Sequence, residues 1–341
     1  MAEIAQRLKR RWLELALVSA LLLALGVLFE TTGLTLGDVI SKRFLGATLR
    51  LSVPIAFAAL GGIFAEKSGV INIGLEGHLI IAAFASIAGV ILTGSVWAGF
   101  LAGVLASTLF AVLFAVVCIE FQADQVIAGL AIWLVALGLG PFLSTVLYGS
   151  VNTPQTGSFQ AIAIPGLASL PVIGALFDVT PPVYLLYVAV IGCWYVLNHT
   201  AFGRWVNASG ENPQALDTAG IDVTRVRYVS VILSGVLAGI GGAGYALSIG
   251  QFTGSGETMI GGRGFIAVVA YLLGNYNPIG AFLSTTLFAG LQTLQIQLQT
   301  GVLPASLVQT VPYITVIVVL AAVGHTRTPA AAGEHYESGD E

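Results

Sequence analysis

Charge is what this sequence most plainly lacks. Only 9% of its 341 residues are Asp, Glu, Lys or Arg, whereas 56% are hydrophobic. A soluble domain carries about 25% charged residues and uses them to cover its surface. This shortage excludes a soluble globular protein, so a lipid bilayer must solvate most of the surface. The apolar runs are long and continuous rather than alternating, which indicates membrane-spanning helices and not the strands of a barrel.

Ionisable residues are missing altogether from three long stretches. No Asp, Glu, Lys or Arg occurs in residues 79–119, 125–177 or 264–324. Ion-coupled transporters and proton pumps use buried ionisable residues as relays. The sequence therefore disfavours a stand-alone ion-coupled transporter or channel, although that function remains an alternative.

Motifs for catalysis and metal binding are also absent from the sequence. The four histidines show no metal-ligand spacing, and no nucleophile motif occurs. Lys67-Ser68 follows Glu66 rather than glycine, so it is not a phosphate-binding loop. We interpret Cys118 and Cys193, both in apolar runs, as core residues. We expect no enzymatic activity, no cofactor in this chain and no nucleic-acid partner, so active transport would need energy from another subunit.

The apolar runs predict an all-α membrane protein of about ten transmembrane helices. Positively charged residues favour the cytoplasmic side, and nine of the 13 basic residues fall on the side of the N-terminus when the spans alternate. Both termini are therefore predicted to be cytoplasmic. Residues 1–328 are predicted to form one transmembrane domain, with halves at about 12–147 and 182–324, and residues 329–341 a flexible acidic tail. The predicted spans are 12–30, 44–64, 70–92, 96–119, 125–147, 182–199, 228–250, 262–275, 278–299 and 306–324.

Two glycine-rich segments begin apolar runs in a similar way. Residues 74–81 open the third predicted span, and residues 261–268 open the eighth. In the predicted topology the third span runs outward and the eighth inward. The sequence therefore predicts an inverted repeat of two five-helix halves, as in many transporters.

The same two segments are the candidates for a substrate pathway. Irregular backbone at membrane depth is tolerated where it lines protein or a watery cavity, and a row of amides on one helix face suits a neutral, hydroxyl-rich substrate. The alternatives are an ordinary turn, in which Glu66 and Lys67 are solvated, and amides that join packed helices. The candidate pathway residues are Asn72, Gly74, Glu76, Gly77, Gln125, Gly262, Arg263, Gly264, Gln292, Gln295 and Gln299.

The loop of residues 200–227 is predicted to be the largest cytoplasmic loop. Within it, Asn212 suits a helix N-cap, Pro213 the first helical position and Gly220 the residue after the end. A short capped helix on the cytoplasmic face could receive force from a partner, whereas the alternative is a simple connector. The candidate coupling residues are Glu211, Asn212, Pro213, Ala215, Asp217 and Gly220.

Four stretches, residues 66–77, 122–131, 210–221 and 261–267, resemble permeases of ATP-binding-cassette (ABC) importers for branched-chain amino acids, ribose and other simple sugars, and nucleosides. The likeness covers residues 40–325 and is greatest to the nucleoside and simple-sugar branch. The sequence departs from that branch at His78, often Met, at Asp124, often Asn, and at Trp133, often Asn.

The resemblance implies a subunit that translocates nucleosides or simple sugars, with branched-chain amino acids or monosaccharides as alternative substrates. It implies a location in the prokaryotic inner membrane and three protein partners. These are a second permease, like or unlike, a cytoplasmic ATPase that holds ATP and Mg, and an external binding lipoprotein. It also implies that residues 211–220 form the coupling helix that docks in the ATPase.

Overall fold

The computed structural model describes Gly37, residues 41–298 and residues 327–336. The first and tenth predicted spans, 12–30 and 306–324, lie outside the described residues, and so does Gln299. The account that follows concerns the described part of the chain.

Helices dominate the described residues. They are α1 (Lys42–Lys67), α2 (Leu75–Thr93), α3 (Val96–Ala115), α4 (Gln125–Tyr148), α5 (Pro181–His199), α6 (Ala201–Glu211), α7 (Pro213–Thr218), α8 (Val223–Ile249), α9 (Arg263–Leu273) and α10 (Pro278–Leu298). A π-helical turn, Val116–Glu120, extends α3, and a 3₁₀ turn covers Ile173–Phe177. Two short antiparallel strands, β1 (Ile162–Ala163) and β2 (Asp178–Val179), pair within the loop between α4 and α5.

Seven of the described helices are long and apolar enough to cross a membrane. They are α1, α2, α3 with its π-helical extension, α4, α5, α8 and α10. Each falls on a span predicted from the sequence. The eighth predicted span, 262–275, is the shorter apolar helix α9, which has 11 residues. The prediction of a mainly helical membrane protein is therefore confirmed.

The bundle has two distinct ends, which we name by the elements found there. At the β1–β2 end, the Lys42 ammonium lies 2.8 Å from the Asp178 carboxylate, next to the loop between α4 and α5. At the α6–α7 end, Lys67 donates a hydrogen bond to the Asn207 side chain at 2.7 Å. Helix α1 thus runs from the first end to the second.

Glycines let α8 lie in direct backbone contact with its neighbours in the centre of the bundle. A methyl group at Gly242 would come 2.9 Å from the Cα of Leu79 in α2, and one at Gly241 would come 3.2 Å from the Cα of Pro54 in α1. A methyl group at Gly239 would lie 3.0 Å from a backbone carbon of α3. Small residues at these positions replace a layer of side chains, as is common where membrane helices pack closely.

Two helices, α2 and α9, begin inside the bundle rather than at one of its ends. The segment before α2 turns inward, and Asn72 within it donates a hydrogen bond to Ser234, in the middle of α8, at 3.1 Å. The first turn of α9 lies against the first turn of α2, where Gly264 donates to Glu76. From this meeting point α2 continues to the β1–β2 end and α9 to the α6–α7 end. The two helices therefore diverge from a shared buried start.

Residues 329–336, which the sequence predicts to be flexible, make defined contacts in the structure. Ala331 is buried, and its N–H donates to the carbonyl of Gly210 at 2.8 Å. The N–H of Gly333 donates to the carbonyl of Gly69 at 2.9 Å. The prediction of a flexible tail rested on the acidic residues at 334, 337, 340 and 341, and residues 337–341 lie outside the described residues, whereas Pro329 and Ala331 are buried against the bundle.

Candidate functional site

The centre of the site is a buried carboxylate at the start of a helix. Glu76 is 1% exposed, and its two oxygens accept hydrogen bonds from the N–H groups of Gly262, at 2.8 Å, and Gly264, at 2.5 Å. These N–H groups belong to the N-terminus of α9, which has no other capping side chain. A helix N-terminus carries partial positive charge, so it is a favourable partner for a carboxylate in an apolar protein interior.

Next to this contact is an open cavity of about 340 Å³. Its size falls at the lower end of the range for small-molecule sites. The rings of Trp133 and Phe265 meet edge to face in its wall, with centroids 5.2 Å apart. The lining residues are Glu76, Trp133, Glu257, Gly262, Phe265, Ile266 and Val269.

The cavity lining combines aromatic and aliphatic walls with two acidic side chains. Arg263, the nearest basic residue in sequence, bonds instead to the carbonyls of Met259 at 2.9 Å and Ile260 at 2.7 Å. Its guanidinium also lies 4.8 Å from the centre of the Tyr245 ring. Among the described residues lining the cavity none is basic. The arrangement suits an uncharged ligand with a flat apolar part and hydrogen-bond donors.

Most of the other predicted pathway residues hold the inward-turning segment in place. The side-chain oxygen of Gln125 accepts from the N–H of Ile71 at 2.7 Å, and Asn72 bonds to Ser234. Gly74 and Gly77 let α2 approach α4, since a methyl group at Gly77 would lie 2.7 Å from a carbonyl oxygen there. These four residues therefore support the cavity wall, although they are not among the residues that line the cavity.

Gln292 and Gln295 of the predicted row of amides lie on α10, apart from the residues that line the cavity. Gln292 and Gln295 are partly buried there, and neither is among the lining residues. Gln299 is outside the described residues. The structure thus brings together Glu76, Gly262 and Gly264 at the cavity, with Arg263 beside them, and leaves the amides elsewhere.

Glu66 and Lys67 differ from the solvated turn charges that the sequence suggested. Glu66 is buried, and its carboxylate accepts hydrogen bonds from the hydroxyls of Tyr271 and of Tyr276, the latter at 2.6 Å. Burial raises the pKa of the Tyr276 hydroxyl, which keeps it protonated as a donor. Lys67 is held by Asn207. Glu66 thereby ties the end of α1 to the end of α9 and the turn after it.

The predicted short helix in the loop of residues 200–227 is present as α7. Asn212 caps it, since its side-chain oxygen accepts from the N–H of Ala215 at 3.0 Å, and Pro213 occupies the first position. Gly220, just after the end, has φ of +78°, a conformation that favours glycine. Leu216 is buried beneath the helix, whereas Glu211 and Ala215 are exposed. Asp217 accepts a hydrogen bond from Tyr336 at 2.8 Å.

A multi-span helical bundle with two helices that begin inside the bundle beside a cavity is the architecture of a membrane transport protein. Residues 44–320 match the family model described as the permease component of branched-chain amino acid transport systems. The chain belongs to this permease family. The resemblance read from the sequence is therefore confirmed, and so is the expectation of a multi-pass membrane transport component rather than an enzyme.

Several curated relatives match along most of the chain. The nucleoside ABC transporter permease protein NupC of Lactococcus lactis is 40% identical over 303 residues, which cover 84% of this chain and 93% of the relative. The guanosine ABC transporter permease protein NupQ of Bacillus subtilis is 38% identical, covering 86% and 96%. A second Bacillus subtilis protein, the guanosine ABC transporter permease protein NupP, is 25% identical, covering 82% and 81%. No solved structure matches the chain.

Sequence reasoning missed several residues that line the cavity. Phe265, Ile266 and Val269 on α9 belong to an apolar run, where nothing distinguishes them from residues that face lipid. The departure from the family pattern at Trp133 was the one available signal, because it marked an unusual side chain opposite α9. The burial of Glu66 could not be recognised in the sequence, since its two tyrosine partners lie about 200 residues away.

Proposed function

We propose that this chain is the permease subunit of an ATP-driven importer that carries nucleosides across the cell membrane. The observation that carries the proposal is the cavity at the shared start of α2 and α9. Its wall holds an aromatic pair, Trp133 and Phe265, beside two acidic side chains. The relatives named for nucleoside and guanosine transport support the same substrate class.

The chemistry of the cavity favours a nucleoside over the alternative substrates. A nucleobase stacks on aromatic side chains, which is worth about 1–3 kcal/mol per base, and ribose hydroxyls can donate to a carboxylate such as Glu257. A monosaccharide has no aromatic base, so it could not stack on Trp133 or Phe265 in this way. A branched-chain amino acid would place its own carboxylate near Glu76 and Glu257, with no basic side chain among the described lining residues.

Movement through the cavity is proposed to follow alternating access. The shared start of α2 and α9, and their divergence to opposite ends, support an inverted repeat of two five-helix halves in a bundle of about ten spans. With both termini in the cytoplasm, the α6–α7 end faces the cytoplasm and the β1–β2 end faces outward. An external binding lipoprotein would deliver the nucleoside at the β1–β2 end.

Energy is proposed to come from an ATPase that docks on α7. The exposed residues Glu211, Asn212 and Ala215 would meet that partner, while buried Leu216 fixes the helix to the bundle. ATP and Mg would bind to the ATPase and not to this chain. Closure of the ATPase would push α7, and the push would reach the cavity through the elements packed on it.

A second permease is the remaining proposed partner, and the relatives support one of unlike sequence. Bacillus subtilis has two guanosine permeases, NupQ and NupP, which are 38% and 25% identical to this chain. Two permeases that carry the same printed substrate in one organism are consistent with a mixed pair. The open side of the cavity would then face the partner permease.

The test uses the chain with its ATPase, second permease and binding protein in proteoliposomes. We expect nucleoside uptake that requires ATP inside the vesicles. Ala215→Arg, on the exposed face of α7, should abolish both uptake and stimulated ATP hydrolysis. Gln122→Arg, exposed in the loop between α3 and α4, is the control and should retain both. Uphill uptake by this chain alone, driven by an ion gradient without ATP, would show that it is a secondary transporter instead.

A further inference from the structure

The segment of residues 329–336, which we call the strap, crosses the α6–α7 end of the bundle. It lies beyond the residues that match the family model, which end at 320. Four hydrogen bonds fix it to four different elements. The strap is therefore outside the part of the chain that the family model covers, and its contacts call for a role.

Gly333 attaches the strap to the inward-turning segment that leads to the cavity. The N–H of Gly333 donates to the carbonyl of Gly69 at 2.9 Å. Gly333 has φ of +84°, and a methyl group there would lie 3.0 Å from the Cδ1 of Ile71. Ile71 precedes Asn72, and Glu76 follows four residues later. Displacement of the strap would therefore press directly on the segment that positions Glu76.

The last residue of the strap, Tyr336, is attached to α7. The Tyr336 hydroxyl donates to a carboxylate oxygen of Asp217 at 2.8 Å. Helix α7 has six residues, and of these only Leu216 is buried. A helix this short is held by few contacts, so a charge-assisted hydrogen bond is a substantial part of its attachment.

Between these two contacts the strap rests on a buried arginine. Arg227, in the first turns of α8, is 4% exposed, and its guanidinium donates to the carbonyl of Glu334 at 2.7 Å. Helix α8 also makes the backbone contacts at the centre of the bundle. The middle of the strap therefore has a fixed support, with α7 on one side and the cavity segment on the other.

We propose that Tyr336 is a positioning residue through which the strap ties α7 to the segment 69–76. A push on α7 passes through Asp217 and Tyr336 to Gly333, and from there to Gly69 and Ile71. The strap thereby adjusts the cavity wall when the ATPase closes. This inference rests on the proposed function, because it assumes that α7 receives the push.

The direct test is Tyr336→Phe in the complete importer, which removes one hydroxyl and keeps the ring. We expect assembly with the ATPase to stay at the wild-type level and the melting temperature to fall only slightly, because the hydroxyl holds a six-residue helix at the surface and not the core of the bundle. The number of nucleosides transported per ATP hydrolysed should fall roughly tenfold, which corresponds to the loss of a hydrogen bond to a charged group. His335→Ala, exposed and next in sequence, is the matched control and should keep the wild-type ratio.

A double-mutant cycle tests whether Tyr336 and Asp217 act together through their hydrogen bond or act independently. Asp217→Ala removes the other partner of the hydrogen bond. If the tie is real, the loss in the double variant is smaller than the sum of the losses in Asp217→Ala and Tyr336→Phe, because both changes remove the same hydrogen bond. Additive losses would overturn the proposal, since they would mean that the two side chains act separately.

Glycine substitution tests the contact between Gly333 of the strap and Ile71. Gly333→Ala combines an unfavourable φ with a contact against Ile71, whereas Gly256→Ala has an unfavourable φ of +62° with no atom within 4 Å. We expect fewer nucleosides transported per ATP hydrolysed in Gly333→Ala and the wild-type number in Gly256→Ala. Equal effects of the two would contradict a specific role for the contact with Ile71.

Failure of this inference is distinguishable from failure of the proposed function. If the chain is not an ABC permease, the wild-type importer shows no ATP-dependent uptake. If only the strap proposal is wrong, the wild type transports and Tyr336→Phe matches it. A Tyr336→Phe variant that loses ATPase assembly in proportion to uptake would also overturn the proposal, because the strap would then serve docking and not transmission.

Discussion

Glu76 and Gly264, 188 residues apart in the sequence, are joined by a hydrogen bond of 2.5 Å between a carboxylate oxygen and a backbone N–H. A second bond, from Gly262 at 2.8 Å, uses the other oxygen. One side chain therefore holds together the starts of α2 and α9 and also lines the cavity.

Glu76→Gln should weaken the contact with the start of α9, while the side chain keeps nearly the same size. An amide keeps one acceptor, but its NH₂ group would face a backbone donor, and the favourable interaction of a negative charge with the helix N-terminus is lost. We expect a destabilisation of about 1–2 kcal/mol, seen as a lower melting temperature in lipid nanodiscs. Glu257→Gln is the control, because Glu257 lines the same cavity and is exposed. Equal losses in both variants would rule out a special role for the contact between Glu76 and α9.

Gly264→Ala should separate the two helix starts. A methyl group at Gly264 would lie 2.9 Å from the Cβ of Glu76 and closer still to its backbone. Because Gly264 and Glu76 both belong to packed helices, neither can move away from the added methyl group. We therefore expect loss of nucleoside uptake and a lower melting temperature. Gly138→Ala, on α4 with no atom within 4 Å, is the matched control and should be neutral or slightly stabilising. Wild-type uptake in Gly264→Ala would contradict the close approach.

Trp133 should set the preference for a nucleobase. Trp133→Ala removes the aromatic side chain that contacts Phe265 in the cavity wall, so nucleoside transport should fall by roughly 5- to 150-fold, the equivalent of one stacking contact. Trp133→Phe keeps a ring and should retain most transport. The measurement is the ratio of nucleoside to ribose uptake at saturating liganded binding protein. A ratio that does not change in Trp133→Ala would show that the base lies elsewhere.

Tyr276→Phe should destabilise the α6–α7 end. The variant leaves the buried Glu66 carboxylate with one phenol donor, from Tyr271, in place of two. A hydrogen bond to a charged group contributes about 1.5–3 kcal/mol, so the melting temperature should fall clearly. Tyr195→Phe, with Tyr195 exposed on α5, removes the same hydroxyl where no such contact exists and should change little. Similar melting temperatures for the two variants would argue against the role of Glu66.

The helices were predictable from the sequence because lipid leaves the chain few choices. Long apolar runs without charges must form helices, and α1, α4 and α8 begin and end within a few residues of the predicted limits. The caps of α7 were also predictable, since Asn212, Pro213 and Gly220 act through local backbone geometry. The short helix α9 was predicted as an ordinary span, because composition does not report the depth at which a helix begins.

The site was predictable only where its residues interrupt apolar sequence. Glu76 and Gly264 stood out for that reason, whereas Phe265 did not. The burial of Glu66 and the packing of the strap could not be foreseen, because each depends on partners far away in the sequence, Tyr271 for Glu66 and Gly69 for the strap. A charged side chain near the end of a span has the same local pattern whether its partner is water or a distant phenol.

The glycine contacts of α8 bear on where a passage for substrate can open. Because Gly239, Gly241 and Gly242 bring α8 to the backbones of α3, α1 and α2, no side-chain layer lies between these helices along which they could slide. Shear motions in proteins use such layers. We therefore expect these four helices to tilt as one block, so that the gap for the solute widens beside α2, where α4 and α9 line the cavity, rather than between the helices of the block.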